Sequence, residues 1–171
     1  MVIERNYRKE FIDDWEFNQE IISNSKKGTY IMGNFLPFSE KPNTNGRIYN
    51  YDSIDISNYL DLIKNHKAVG ELAIDHHSEF EISLTHTSHK ITKLRKTKLG
   101  IVGEVQLLNT TSGMLAKTML SNLIVRPCLI GYVNSNGIVN INEIISFDLV
   151  HRFNDGFNPS SHKNIRYKLN K

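Results

Sequence analysis

The sequence has a single cysteine, no apolar run near the roughly 20 residues of a membrane span, and no strong charge of either sign. The lone thiol, Cys128, excludes an internal disulfide framework and fits a reducing compartment. The missing apolar run excludes a transmembrane helix, so no membrane partner is expected. The N-terminus, "MVIERNYRKEFIDDW", mixes acids with bases and has no apolar h-region, which excludes a secretory signal peptide. Twenty-one Lys and Arg against 18 Asp and Glu leave a formal charge of +3, too mild to announce a nucleic-acid binder. Only "KLRKTK" (93–98) and the tail "HKNIRYKLNK" (162–171) are locally basic, and both read as solvated loop or tail; Tyr167 is the one aromatic among the tail bases. No internal repeat or low-complexity linker divides the chain.

What remains is the composition of an ordinary globular protein, 39% hydrophobic and 23% charged, with 171 residues to build one compact core. Phe11, Trp15 and Ile22 fall near helical spacing within residues 8–24 and predict a short amphipathic helix whose apolar stripe docks on a partner. "GTYIMGNFLPF" (28–38) reads as a strand ending at a proline, followed by the turn-rich "SEKPNTNGR". In "DSIDISNYLDLIKNH", Ile56, Tyr59, Leu60 and Ile63 sit at i, i+3, i+4 and i+7 and predict a helix capped by Asp52 or Ser53. "AVGELAI", the alternating part of "FEISLTHTSHKITKL" and "LGIVGEVQLL" (99–108) read as strands. A second helix starts at "NTTSG", with Leu115, Met119 and Leu123 as its apolar positions. "LIVRPCLIGYV" and "IVNINEIISFDLV", joined at "NSNG", form a hairpin. The chain thus divides into an N-terminal docking segment (1–27), a body (28–150) and an irregular basic tail (151–171).

Four stretches, in order, resemble the prohead (head maturation) proteases of tailed phages, a group related to the herpesvirus assemblins. "NTNGRIY" (43–49) is similar to the Asn-x-Asn-x-Arg-x-Tyr-Pro that precedes that family's first helix, with Asn50 in place of the proline. "GELAIDHH" (70–77) is similar to the Gly-Glu-Leu-x-His stretch that carries the catalytic histidine, with extra residues before His76 and His77. "SHKI" with "GIVGEVQLLNTTSGMLAKTML" resembles the strand, Asn-Thr turn and helix before the nucleophile, and "ISFDLV" (145–150) the closing strand. The resemblance runs from about Gly28 to Val150. It implies an α+β fold with a mostly antiparallel, barrel-like sheet and two or three helices.

The resemblance also implies a nucleophilic serine after the second helix, in Val-Ser-Ser-Arg-Gly-x-Gly. Aligning the last glycine with Gly131 puts Val125 on the valine, Arg126 on the serine and Pro127 on the next serine. Arginine cannot attack a carbonyl, and proline removes an N–H that an oxyanion hole would use. Cys128 is two positions on, about 6 to 7 Å along a strand, too far for the same geometry without a register shift. A thiolate paired with His76 or His77 is the alternative nucleophile; a small buried apolar residue is the plainer role. Ser88, Ser112 and Ser135 are no better placed. Asp148 is the candidate third member that would orient a histidine, or else a strand-end acid bonded to local backbone. Arg126 has Glu104 or Asp148 as possible ion-pair partners.

His76, His77, His86 and His89 place four imidazoles in 14 positions, but their spacing matches no zinc pattern and only one cysteine is present. No metal or cofactor is expected. The sequence therefore predicts a catalytically silent prohead-protease-like structural protein of a phage head, assembled in the host cytoplasm, retained in the virion and free to form homo-oligomers. Its partners would be the major capsid or a scaffold protein, engaged through Phe11, Trp15 and Ile22. The alternative is an active maturation protease, serine or cysteine type, cleaving scaffold and capsid precursors.

Overall fold

The β-branched and aromatic runs of the sequence become strands, as their fit to a pleated, half-buried surface dictates. The computed structural model describes residues 5–6, 19–24, 28–42, 47–74 and 82–151. A five-stranded antiparallel sheet has the order β2 (Gln19–Asn24), β3 (Gly28–Pro37), β7 (Gly100–Leu107), β6 (Thr87–Lys96) and β5 (Val69–Glu71). A second sheet orders β1 (Arg5–Asn6), β8 (Leu123–Val133), β9 (Ile138–His151) and β4 (Ile48–Asn50), with β4 and β9 parallel. Two helices, α1 (Ser57–Lys64) and α2 (Thr111–Thr118), complete the described elements, with short 3-10 turns at Tyr51–Ser53, Leu84–His86 and Leu120–Asn122.

The class is thus the expected α+β with mostly antiparallel pairing, but the described strands form two sheets rather than one closed ring. The sheets meet at one corner through a parallel bridge between Leu72 and Leu149, where the Ala73 N–H donates to the Leu149 carbonyl at 2.8 Å. Their facing sides supply the core: Ile31, Ile91, Ile101 and Val105 from one, Val125, Leu129, Phe147 and Leu149 from the other. A bulge between Asn34 and Leu36 turns Phe35 inward, 5.7 Å from the Phe147 ring. Gly103 leaves room for it, since a Cβ there would collide with the Phe35 ring.

The β8–β9 hairpin forms as expected, its turn held by the Asn134 side chain, whose Oδ1 accepts from the Asn136 and Ile138 N–H groups at 2.9 and 3.0 Å. Three expectations are corrected. Ile22 belongs to strand β2, opposite Tyr30, not to a helix over residues 8–24; Phe11 and Trp15 lie outside the described residues. Helix α1 starts at Ser57, not at 52–53: Asp55 Oδ1 accepts from the Ser57 N–H at 2.8 Å, which holds its carboxyl below the usual range. Ser53 instead ties the turn to the sheet, donating to the Asn50 carbonyl and accepting from the Ile141 N–H at 2.9 Å.

The third correction is the face of α2. Its cap is Thr110, whose Oγ1 accepts from the Gly113 N–H at 2.9 Å, but Leu115 is exposed, Met119 ends the helix and Leu123 opens β8. The buried face is Gly113 and Ala116. A Cβ on Gly113 would overlap the Leu108 and Ser88 carbonyl oxygens, so the helix backbone lies directly on the end of the sheet.

Candidate functional site

Strands β5, β8 and β9 bring the polar residues of the resemblance to one level of the interior. In the antiparallel β8–β9 ladder Arg126 stands opposite Asp148 and Cys128 opposite Ser146, so all four share a face. Arg126 is 2% exposed and Asp148 is fully buried. One carboxylate oxygen of Asp148 accepts from the Glu71 N–H at 3.0 Å and from Ser146 Oγ at 2.9 Å. Two donors on one oxygen of a buried carboxylate stabilise its charge, which is how such a group persists in a core. Glu104 is not the arginine's counterion: its carboxylate takes Thr92 Oγ1 at 2.7 Å and Lys93 Nζ at 3.1 Å on the opposite side of the sheet.

The "GEL" triplet explains itself at this level. Gly70 pairs with His89, and a Cβ there would overlap both the Phe147 carbonyl oxygen and His89 Nε2. Glu71 is buried, gives its N–H to Asp148 and accepts the Ser83 N–H on its own carboxylate, which ties the end of β5 to the chain ahead of the Leu84–His86 turn. Leu72 makes the bridge to β9. The triplet is therefore a clasp between the two sheets. His76 and His77 lie outside the described residues.

His89, weighed in the sequence only as a metal ligand, is a fully buried member of β6. Its Nε2 lies 2.7 Å from the Phe147 carbonyl, and a carbonyl only accepts, so Nε2 carries the proton and Nδ1 accepts from Ser88 Oγ at 2.8 Å. This imidazole, bonded at both nitrogens, has no access to solvent, and Ser88 is equally buried. The pair has the atoms of a serine–histidine dyad without the exposure. His86 sits apart in the 3-10 turn, its Nδ1 3.1 Å from Ser83 Oγ. Ser112 Oγ donates to the Thr85 carbonyl, and Ser135 lies in the Asn134 turn.

Cys128 and Pro127 are both buried within β8. The outward edge of β8 beside them is covered by a side chain the sequence reading missed. Gln19 Oε1 accepts from the Val125 N–H at 2.8 Å, while its Nε2 donates to the Val125 and Asn34 carbonyls at 3.0 and 3.1 Å. One amide side chain thus does the work of a neighbouring strand's peptide and links the second corner of the two sheets. No sequence pattern marks a glutamine for this role; it follows from the strand β2 that places it.

Tyr59 closes the site from α1. Its ring meets Phe147 edge-on at 5.4 Å, and its hydroxyl is buried without a hydrogen bond among the described residues. Burial, and then the charge of Asp148, push the phenol's pKa well above its ordinary value. A group held neutral in the fold but free to ionise when unfolded stabilises the protein below the ordinary phenol pKa and loses that contribution as pH rises past it. Wild-type stability should then fall by about 1.4 kcal/mol per pH unit above about pH 10 from this group alone. Urea denaturation across that range checks it: Tyr59→Phe should show a shallower decline, and an identical decline would show that Tyr59 ionises freely in the fold.

Two sheets clasped through Gly-Glu-Leu, a capped helix ahead of β8 and a closing β8–β9 hairpin define a fold similar to that of a phage prohead protease. One solved structure that it resembles is that of the bacteriophage T4 capsid assembly protease, gp21, with a TM-score of 0.62 and 20% sequence identity over 88% of this chain and 96% of that one. No protein-family model and no curated protein matches the chain.

Proposed function

We propose that the chain is a catalytically silent relative of the prohead proteases that serves as a structural component of a phage head, binding capsid or scaffold proteins. The fold likeness to a capsid assembly protease supports a role related to head maturation. Silence is supported by one observation: the residue aligned with the nucleophile, Arg126, is buried across from Asp148, and Pro127 and Cys128 beside it are buried too. The thiol in that position is itself buried within β8. Docking is assigned to Phe11, Trp15 and Ile22, of which Ile22 is exposed on β2.

The experiment is to incubate purified protein with the capsid and scaffold precursors of its own phage. Both should stay intact, and neither serine-directed nor thiol-directed active-site probes should label the chain. Arg126→Ser should not create cleavage, because Pro127 still withholds an N–H from any oxyanion. Specific cleavage that disappears in His76→Ala, His77→Ala or Cys128→Ala would establish the active maturation protease instead.

A further inference from the structure

The outer side of the five-stranded sheet is not covered by either helix, and over β3, β7 and β6 it forms a groove of about 1010 Å³. The register builds it in rows. Met32 stands beside Glu104 and Lys93, and Asn34 beside Val102 and Arg95, with Lys98 and Leu99 in the β6–β7 turn at one end. Met32 and Val102 are half-buried and Leu99 is 78% exposed, while Lys93, Arg95 and Lys98 form a basic wall. The groove has three bases against one acid, Glu104, and that acid is already engaged by Thr92 and Lys93. The Lys93 pair is a surface contact, weak enough to yield to a better partner.

Leu99 is presented rather than merely exposed. Its N–H donates to Thr97 Oγ1 at 3.1 Å, and its carbonyl accepts from the Phe38 N–H at 3.0 Å and from Asn34 Nδ2 at 3.1 Å. Thr97 in turn bonds the Gly100 carbonyl through both its N–H and its hydroxyl. A leucine on so fixed a backbone loses little freedom when a partner covers it, which is the condition for an anchor.

We propose that this groove binds an acidic segment of a partner protein, one that lays an apolar side chain against Met32, Leu99 and Val102 and its carboxylates against Lys93, Arg95 and Lys98. The proposal rests on the docking role proposed above and names the surface and the partner's chemistry. A nucleic acid fits less well: among the described residues no aromatic side chain lines the groove to stack a base, and phosphates on the basic wall would leave the apolar floor uncovered.

The test uses the full chain and a fluorescein-labelled peptide of about twelve residues made of Glu-Leu-Asp-Ser repeats. The peptide should bind, and replacing its leucines by serine should weaken it at least about tenfold. The triple variant Lys93→Glu, Arg95→Glu, Lys98→Glu and the single variant Leu99→Asp should each weaken it by a similar factor of about ten or more, with urea midpoints like wild type. Unchanged affinity in either variant would overturn the proposal, as would absence of binding. It also falls if a thymidine oligonucleotide binds more tightly and loses affinity in the same variants, which would mark a nucleic-acid surface. A concentration-dependent dimer abolished by the variants would show that a second copy fills the groove. A rise of about tenfold in peptide affinity on replacing Glu10, Asp13, Asp14 and Glu16 by Ser would show that the chain's own N-terminal segment does. Catalytic silence is independent of this readout: a chain that cleaves precursors and still binds the peptide loses the silent reading and keeps the groove.

Discussion

Gly70→Ala should leave little or no folded protein. The added methyl would point at two things at once: the main-chain oxygen of Phe147 in the middle of β9, and the ring of His89, which is itself bonded to that oxygen at 2.7 Å. Neither is the free end of a flexible side chain. Relief requires β5 to move away from β9, and that would strip Asp148 of the Glu71 N–H, part the Leu72–Leu149 bridge and release the Ala73 N–H. A cost of about 3 kcal/mol or more is expected, a large share of a small domain's stability. Gly137→Ala is the control, because there only a positive φ of 75° is at stake and about 1 kcal/mol should be lost. Urea denaturation followed by tryptophan fluorescence or circular dichroism would separate the two. A Gly70→Ala midpoint equal to wild type would mean that the two sheets are not clasped at this point.

The sequence carried the strands well and the helix faces poorly, for physical reasons that particular residues make plain. Strands β3, β6, β7, β8 and β9 announce themselves because their inner faces need β-branched and aromatic side chains at alternate positions, as in Ile101, Val105 and Leu107. Helix α2 does not, because it is buried through Gly113 and Ala116, where backbone lies on backbone and no large apolar residue is required. Reading its leucines as the inner face inverted it. Strand β2 escaped notice because its adjacent isoleucines, Ile21 and Ile22, lie opposite Ile31 and Tyr30 on two different faces, and neither alternation nor helical spacing stands out in six residues. The site was legible through the family resemblance: the alignment put Arg126 at the serine position and Asp148 in the closing strand, and the ladder sets them opposite each other. Glu71, Ser88 and Ser146 were not, since their roles depend on partners 12 to 77 positions away or on burial that one strand cannot reveal.

The Arg126 and Asp148 pair should behave as structure and not as chemistry, and a double-mutant cycle separates those roles. Asp148→Ala leaves a buried guanidinium without its facing carboxylate and removes the acceptor of the Glu71 N–H and of Ser146 Oγ, so a loss of about 3 to 5 kcal/mol is expected. Arg126→Met should cost less, because the carboxylate keeps its two donors and the methionine side chain refills most of the arginine's volume. Combining Arg126→Met with Asp148→Ala removes both buried charges and with them their desolvation cost. The double variant should therefore be more stable than Asp148→Ala alone by about 2 kcal/mol or more, although it carries one more substitution. Urea midpoints of the four proteins, taken at one pH and ionic strength, give the coupling. Strict additivity would mean that the two side chains do not sense each other across the ladder. If instead the variants fold as well as wild type and only particle assembly suffers, the pair would belong to an interface, and the buried cluster at the nucleophile position would have to be read as a binding element rather than as a core.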